Sequence, residues 1–365
     1  MPLEAWLTTI EDVAPRSLGP HDRRGEPLAA QVRALSELYT RRRDALPEAG
    51  EALAARLRFY LPRDLPKVWG PLEELGDALP TGEVWRVLDL GAGLGTTSFG
   101  VASFAQDRRL QVTAYERDAA SIDVFESLAQ AAQAAGLIAP LSLRAHRADL
   151  AKLDPASLPK ADLILVGLTL NELFDADHLD DAEAWLRALI RRLNEGGSLI
   201  VLEPALRETS RALQRLRDRL GDHVYAPCLR AGDCPLLRRE RDWCHAQRAG
   251  ELPTRLADIA KAAGLRWSRP TYAYLTLRAD GRRLGGFGDR RALRVVGGPV
   301  ASKGKTEWDG CGEAGLVRLR RLDRERGPSN EALDDAVRGT RVRLGEAPAD
   351  GASVRLRTSV PIERI

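Results

Sequence analysis

The chain lacks any apolar run approaching the length of about 20 residues that a membrane helix needs. Its opening stretch, Met1 to Leu18, holds three acidic residues, one Arg and no sustained apolar segment, so it reads as neither a secretory signal nor an Arg-rich transit peptide. Net charge is nearly absent: 55 Lys and Arg face 52 Asp and Glu, and the resulting +3 does not by itself establish a polyanionic partner. Cysteine is scarce, with only Cys228, Cys234, Cys244 and Cys311. In a reducing compartment four thiols do not read as two disulfides. They are either unrelated core cysteines or a four-thiolate metal site. No internal repeat is present. These absences make a cytoplasmic, membrane-free bacterial protein the expectation, monomeric when free.

What is there is an apolar share of 44% in 365 residues, enough to bury a real core and too long for one minimal domain. From Glu26 to about Leu75 apolar residues recur at helical spacing, with Pro62 and Pro66 breaking the run into two or three helices. Residues 1–25 read as an irregular lead-in. From Val84 the texture becomes alternating strands and helices. Strands are expected at Val84–Leu90, Gln111–Tyr115, Leu141–His146, Ala161–Leu168 and Ser198–Leu202, with helices at Ala119–Ala135 and Leu179–Leu193. Gly196-Gly197 is expected to end the second helix and launch the fifth strand. This alternation predicts an α/β fold with a doubly wound, Rossmann-type parallel sheet. Further helices are expected at Arg207–Leu220, Pro253–Ala263 and Asn330–Val337. Tyr272–Leu277 and Leu293–Val296 read as the terminal strand pair of the sheet. The expected divisions are 1–80 helical, 81–225 Rossmann core, 226–320 cysteine region and 321–365 a β/loop extension.

The first chemical feature is Asp89-Leu-Gly91-Ala-Gly93-Leu-Gly95, where a strand turns into a helix. Glycines there permit a tight turn and close backbone approach to a ligand, while the helix start offers free N–H groups. Alone, this spacing is shared with NAD and FAD sites. Three carboxylates narrow it. Asp89 suits a methionine ammonium group better than a pyrophosphate. Glu116, closing the second strand, is placed to accept both ribose hydroxyls. Asp149, after the third, is placed to receive an adenine amino group. The ordered set resembles the class I methyltransferase fingerprint, which implies S-adenosylmethionine as the cofactor. Strand four ends in Gly167-Leu-Thr-Leu-Asn171-Glu172, without the Asn/Asp-Pro-Pro-aromatic turn usual in amino-methylating enzymes. Asn171 and Glu172 are candidates to orient a substrate or act as a base, or they cap the next helix.

The second feature is the cysteine set. Cys228, Cys234 and Cys244 fall close together amid Gly and Pro, and Cys311 sits between Gly310 and Gly312. The intervening gaps of five, nine and 66 residues draw no paired zinc knuckles. Irregular spacing with a proline after a ligand suits an iron–sulfur cluster better, zinc remaining the alternative.

With both features placed, the chain resembles the methyltransferase-like assembly proteins of the mitochondrial small ribosomal subunit and their bacterial relatives. The resemblance runs from Tyr60-Leu-Pro-Arg63 to beyond Cys311. It is most specific at Ala226-Pro-Cys228, Cys234-Pro235, Asp242-Trp-Cys244-His245 and Tyr272-Ala-Tyr-Leu275, with Glu203-Pro204 also matching. It departs at Leu229-Arg230 and Ala246, neither of which removes a ligand. The resemblance implies a [4Fe–4S] cluster on Cys228, Cys234, Cys244 and Cys311, with the small ribosomal subunit and its rRNA as partners. Two functions stay open: methylation of rRNA, and a catalytically inactive RNA-binding assembly scaffold. Between Arg278 and Arg326, 13 Lys and Arg stand against seven Asp and Glu, an excess suited to phosphate contact.

Overall fold

A computed structural model describes residues 3–41, 52–175, 178–248, 250, 252–265, 269–347, 349–350 and 353–365. The chain divides into two compact units, one of Met1–Leu202 with Ala249–Pro270, the other of Glu203–Arg248 with Thr271–Ile365. Among the described residues no helix is long and apolar enough to cross a membrane.

The first unit opens with helices α1 (Leu3–Leu18) and α2 (Gly25–Arg41), where an irregular lead-in was expected for the former. Trp6, Ile10 and Ala14 of α1 recur every fourth residue and are buried, so the helix is amphipathic despite Pro15 within it. Composition disguised this: the stripe is short and interrupted by acidic residues and proline. Next come α3 (Leu53–Ala55), a π-helical turn (Arg56–Tyr60), α4 (Leu61–Asp64) and α5 (Trp69–Leu75). Arg58, buried on the π turn, holds Asp22 through paired hydrogen bonds of 2.9 and 3.0 Å and also pairs with Glu11 of α1. A bidentate guanidinium so enclosed ties the helical segments together.

The parallel sheet follows: β1 (Val84–Leu90), α6 (Thr96–Phe104), β2 (Arg109–Glu116), α7 (Ala119–Ala134), β3 (Leu141–Arg147), β4 (Ala161–Gly167), α8 (Leu170–Leu173), α9 (Leu179–Ile190) and β5 (Leu193–Pro204). Strand order is β3-β2-β1-β4-β5, all parallel, with crossover helices between. The first four strands fall within two residues of their expected places: β1 and β4, largely buried, read as nearly continuous hydrophobic stretches, while β2 and β3 alternate in burial. The fifth starts earlier than expected: α9 stops at Ile190, and β5 pairs Leu193 with Ala161 before a register shift. Gly196 (φ +71°) and Gly197 thus sit inside the strand's irregular start rather than at the helix end.

In the second unit, α10 (Arg207–Leu220) lies where expected. Strands β6 (Val224–Ala226) and β7 (Ala246–Gln247) both pair antiparallel with β8 (Thr271–Arg278). The rest forms a sheet of β9 (Ala292–Val295), β10 (Val300–Ser302), β11 (Lys305–Gly312), β12 (Gly315–Leu322), β13 (Arg341–Leu344), β14 (Ala349–Asp350), β15 (Ser353–Arg355) and β16 (Ile362–Arg364). The strand expected near Leu293 therefore joins this sheet, between β11 and β13, and is no terminal partner of β8. The helix expected at Asn330–Val337 is instead a 3-10 segment, Pro328–Leu333. A core of Trp308, Leu319, Leu333, Val342 and Leu356 packs this sheet.

Aromatic stacking carries α1 into the Rossmann core. The Trp6 ring lies 5.2 Å from Phe99 of α6, which meets Phe125 of α7 edge-on at 5.0 Å. Trp6→Ala should lower unfolding free energy by about 3–5 kcal/mol, the usual cost of emptying a buried aromatic site. Urea denaturation checks this, and an unchanged midpoint would show that α1 is dispensable.

Candidate functional site

Two sites emerge, one in each unit. In the first, β1 ends at Leu90 and the chain passes through Gly91, Gly93 and Gly95, with φ of +70°, +55° and +81°. Positive φ is costly for any residue with a Cβ. Packing excludes a side chain as well: a Cβ on Gly95 would lie 2.2 Å from the Phe125 ring, and one on Gly91 only 2.4 Å from Thr169 Oγ1. The loop is fixed from behind by hydrophobic helices.

The three carboxylates adopt different roles. Glu116, at the end of β2, accepts the Gly93 N–H at 2.8 Å with one oxygen and the Asp118 N–H at 3.0 Å with the other. It fastens the glycine loop to the second strand. Asp89 is sealed inside, 1% exposed, and accepts a 2.6 Å hydrogen bond from Ser98 Oγ of α6. Burial pushes its carboxyl up to about 7 against the lowering effect of the Ser98 bonds. Asp149 caps a 3-10 turn by accepting the Ala151 N–H at 3.1 Å and pairs with Lys152 at 3.4 Å.

The strand-four candidates lie beside an outlier. Leu168 has φ +61°, a left-handed conformation costing about 1–3 kcal/mol in a non-glycine residue and frequent at functional sites. Its N–H is held by the Leu202 carbonyl at 2.8 Å. Asn171 Oδ1 is buried without a hydrogen-bond partner among the described residues. Burial pushes Glu172 up to about 6, with Arg56 and Arg117 drawing it down and Glu116 adding to the rise. Sequence reading missed Arg56. From the π turn its Nη1 donates to Ser121 Oγ at 2.9 Å, and Nη2 lies 3.0 Å from where a Cβ on Gly93 would stand. A helical segment outside the Rossmann pattern gave no signal that one of its arginines reaches the loop.

In the second unit a cavity is lined by all four cysteines, together with Arg217, Arg230, Arg294 and His245. Cys228 and Cys234 flank the loop after β6, Cys244 precedes β7, and Cys311 sits on β11 opposite Arg294 of β9. All four are free thiols. Burial raises Cys244, Cys234 to about 11 and Cys311 to about 12, and the Cys228 sulfur adds to each. Among the described residues, no group of three or more His, Cys, Asp or Glu side chains closes on a single ion position.

Helix α10 organises the cysteine loops. Arg211 donates to the carbonyls of Leu237, Arg239 and Asp242 at 3.0, 2.9 and 3.0 Å. Arg217 donates to Gly232 O and the Asp218 carboxylate at 2.7 and 2.8 Å, and to the Arg230 carbonyl. Both Asp218 oxygens accept the Cys234 N–H at 3.0 Å. From β9, Arg294 bonds the Pro227 and Gly339 carbonyls at 2.7 Å each. These irregular loops have few ladder partners, so guanidinium forks satisfy their carbonyls. The sequence signal was the Arg-laden helix Arg207–Leu220 just before the first cysteine. Elsewhere, arginines of the 278–326 stretch also turn to carboxylates: Arg278 to Asp280, Arg318 to Asp309 at 3.1 Å and Arg320 to Glu307 at 2.9 Å. The basic excess there is partly internal wiring.

Strand order, crossover helices and glycine loop define a Rossmann-type class I methyltransferase fold with N-terminal helices and a cysteine-rich, β-containing C-terminal part. A family model described as mitochondrial small ribosomal subunit Rsm22 matches residues 55–340, and the chain belongs to that family. Among solved structures it is similar to magnesium protoporphyrin IX methyltransferase of Synechocystis PCC 6803, which holds SAM (14% identity, 68% of this chain and 97% of that one, TM-score 0.33). It is also similar to plantazolicin methyltransferase in complex with SAH (10%, 74% and 99%, TM-score 0.38). An O-methyltransferase family protein of Burkholderia thailandensis matches at 16% identity, over 70% of this chain and 69% of that one, with a TM-score of 0.35. No curated protein matches.

Asp89 generates a pH prediction. Its folded value of about 7 stands above the ordinary 3.8, so the folded state holds the proton more tightly. The resulting stabilisation is complete below about pH 4 and is lost as pH rises through about 7. Asp89→Asn should flatten that decline, read from urea midpoints across this window. A wild-type decline retained in the variant would assign it to another group.

Proposed function

We propose that this protein binds S-adenosylmethionine at the Gly91–Gly95 loop and a [4Fe–4S] cluster on Cys228, Cys234, Cys244 and Cys311, and methylates the rRNA of the small ribosomal subunit. The observation that carries the reading is the convergence of all four cysteines, from three separate segments, on one cavity. Unrelated core cysteines have no reason to share a cavity. A tetrahedral zinc ion needs each sulfur about 2.3 Å from one point, whereas a cubane spreads its four thiolates over its corners. The lining of thiols and arginines, with Ser210, Gln214 and His245 among apolar side chains, suits the bulkier group. A bound cluster would supply redox capacity and a covalent tie among three chain segments.

At the cofactor loop, the positive-φ glycines leave the backbone open to close approach, and N–H groups of the α6 start face the ligand. Glu116, already braced by Gly93 and Asp118, keeps lone pairs for ribose hydroxyls. Asp149 stands at the end of β3 for the adenine amino group. Asp89, the candidate for a methionine ammonium, is buried and accepts from Ser98, which braces the strand end behind the loop. Glu172, with a raised carboxyl near Arg56, is the candidate base for the methyl acceptor. In-line attack on the sulfonium methyl would draw most of its acceleration from proximity and orientation. Membership of a small-ribosomal-subunit family supports the partner.

One observation favours the alternative of a scaffold without turnover: the turn after β4 carries Leu168-Thr169-Leu170, with Thr169 Oγ1 directed to the Gly91 carbonyl at 3.3 Å and no Pro-Pro-aromatic turn to grip an acceptor nitrogen. Mapping of rRNA methylation and ribosome profiles in a deletion strain separates the two. Loss of one mark, restored by wild type and not by Glu172→Gln, is the expected result. Unchanged marks with defective small subunits would establish the scaffold. For the cluster, anaerobic purification should yield a brown protein with about four iron and four sulfide per chain, and Cys311→Ser should lose the iron. Colourless protein with stoichiometric zinc would refute the assignment.

A further inference from the structure

Within the cysteine cavity, one face of α10 carries a pattern that loop support does not explain. Ser210, Gln214 and Arg217 stand at successive helical turns, on one side of the helix, and all three line the cavity. Each is buried: Ser210 is 0% exposed, Gln214 8% and Arg217 5%. Ser210 Oγ, Gln214 Oε1 and Nε2, and Arg217 Nε have no hydrogen-bond partner among the described residues. Burying an amide with both ends unsatisfied is costly, so such groups persist where something else needs them. Arg217 has both Nη nitrogens engaged, with Asp218 and with the Gly232 and Arg230 carbonyls of the Cys228–Cys234 loop, while its Nε–H has no partner among the described residues. The anchoring of the loops rests on Arg211, Arg217 and Asp218 and makes no use of Ser210 or Gln214.

We infer that Ser210, Gln214 and Arg217 of α10 donate hydrogen bonds to the sulfurs of the cluster and set its reduction potential. This rests on the cluster reading above. Thiolates and bridging sulfides are electron-rich acceptors, more so after the cluster gains an electron. A donor aimed at sulfur therefore stabilises the reduced state more than the oxidised one and raises the potential. The row is placed for this: Gln214 sits midway between Ser210 and Arg217, and its amide brings two N–H donors. The three are positioning residues, since they would act on the potential and leave ligation to the cysteines.

The test is potentiometric titration with dithionite of the full-length protein, with iron and sulfide counted in each sample. Gln214→Leu keeps the side chain's bulk and all loop anchors while removing both amide donors. Its iron content should equal the wild type's. The ratio of reduced to oxidised cluster at fixed poise should fall about tenfold, about 59 mV for a one-electron couple. Ser210→Ala should shift the ratio in the same direction by less, and it provides the answer if Gln214→Leu fails to fold. Resonance Raman in D₂O supplies a second readout: the iron–sulfur stretches of the wild type should shift on exchange, and those of the variants should shift less. Unchanged potentials and unchanged D₂O shifts in iron-replete variants would overturn the inference and leave the cluster standing. A wild-type protein without iron would overturn the cluster and this inference with it.

Discussion

The Phe125 ring presses against Gly95 so closely that a single added carbon would lie 2.2 Å from it, and the conformation of the cofactor loop depends on that contact. A left-handed glycine alone is floppy. Pinned by an aromatic ring from α7, it becomes a fixed turn. Phe125 is in turn held edge-on by Phe99, and Phe99 by Trp6 of the first helix. A line of rings thus runs from the N-terminal segment to the loop. Close packing of this kind transmits position, because interiors are as dense as organic crystals and cannot yield locally. Glu116 completes the arrangement from the other side by accepting the Gly93 N–H. The loop is therefore held on both flanks, and the N–H groups of Gly91, Ala92, Gly93 and Gly95 are all bonded within the unit.

The second unit solves a different problem. Cys311 sits in a strand, but Cys228, Cys234 and Cys244 come from loops with few ladder partners, and buried carbonyls without partners are expensive. Arginines from α10 and β9 take that place, each fork satisfying two or more carbonyls at once. The same residue type that suggests an RNA surface by composition is here spent on internal architecture. Arg278 and Arg321 are buried against Asp280 and Asp334, and Arg294 against two carbonyls. Counting charges along the chain cannot separate these uses, since a guanidinium fits a carbonyl, a carboxylate and a phosphate with the same planar geometry.

Legibility in the sequence followed the range of the interactions concerned. The β1 strand and α10 helix were readable to the residue, and β2, β3 and β4 to within two, because their patterns are local. Helix α1 was not, since its apolar stripe gains meaning only from the groove it fills. The pairing of β9 with β11 and β13, rather than beside β8, was hidden for the same reason: antiparallel neighbours are chosen by packing over long separations. Among the site residues, Glu116 stood where its strand end placed it, while Asp89 turned inward to Ser98, a choice that depends on a hydroxyl nine positions away on α6.

By itself, then, the sequence determined the parallel α/β core, the glycine turn with its acidic strand ends, and the identity of four cysteines as a set. Those follow from hydrophobic periodicity, from backbone sterics that only glycine escapes, and from the scarcity of thiols. Tertiary structure alone decided that the four cysteines meet in one cavity, that Arg56 reaches the cofactor loop, and that α10 lines the cavity with Ser210, Gln214 and Arg217. The physical reason is the same in each case: these juxtapositions join segments far apart in the chain. No local propensity encodes them, only the packing of the whole unit around them.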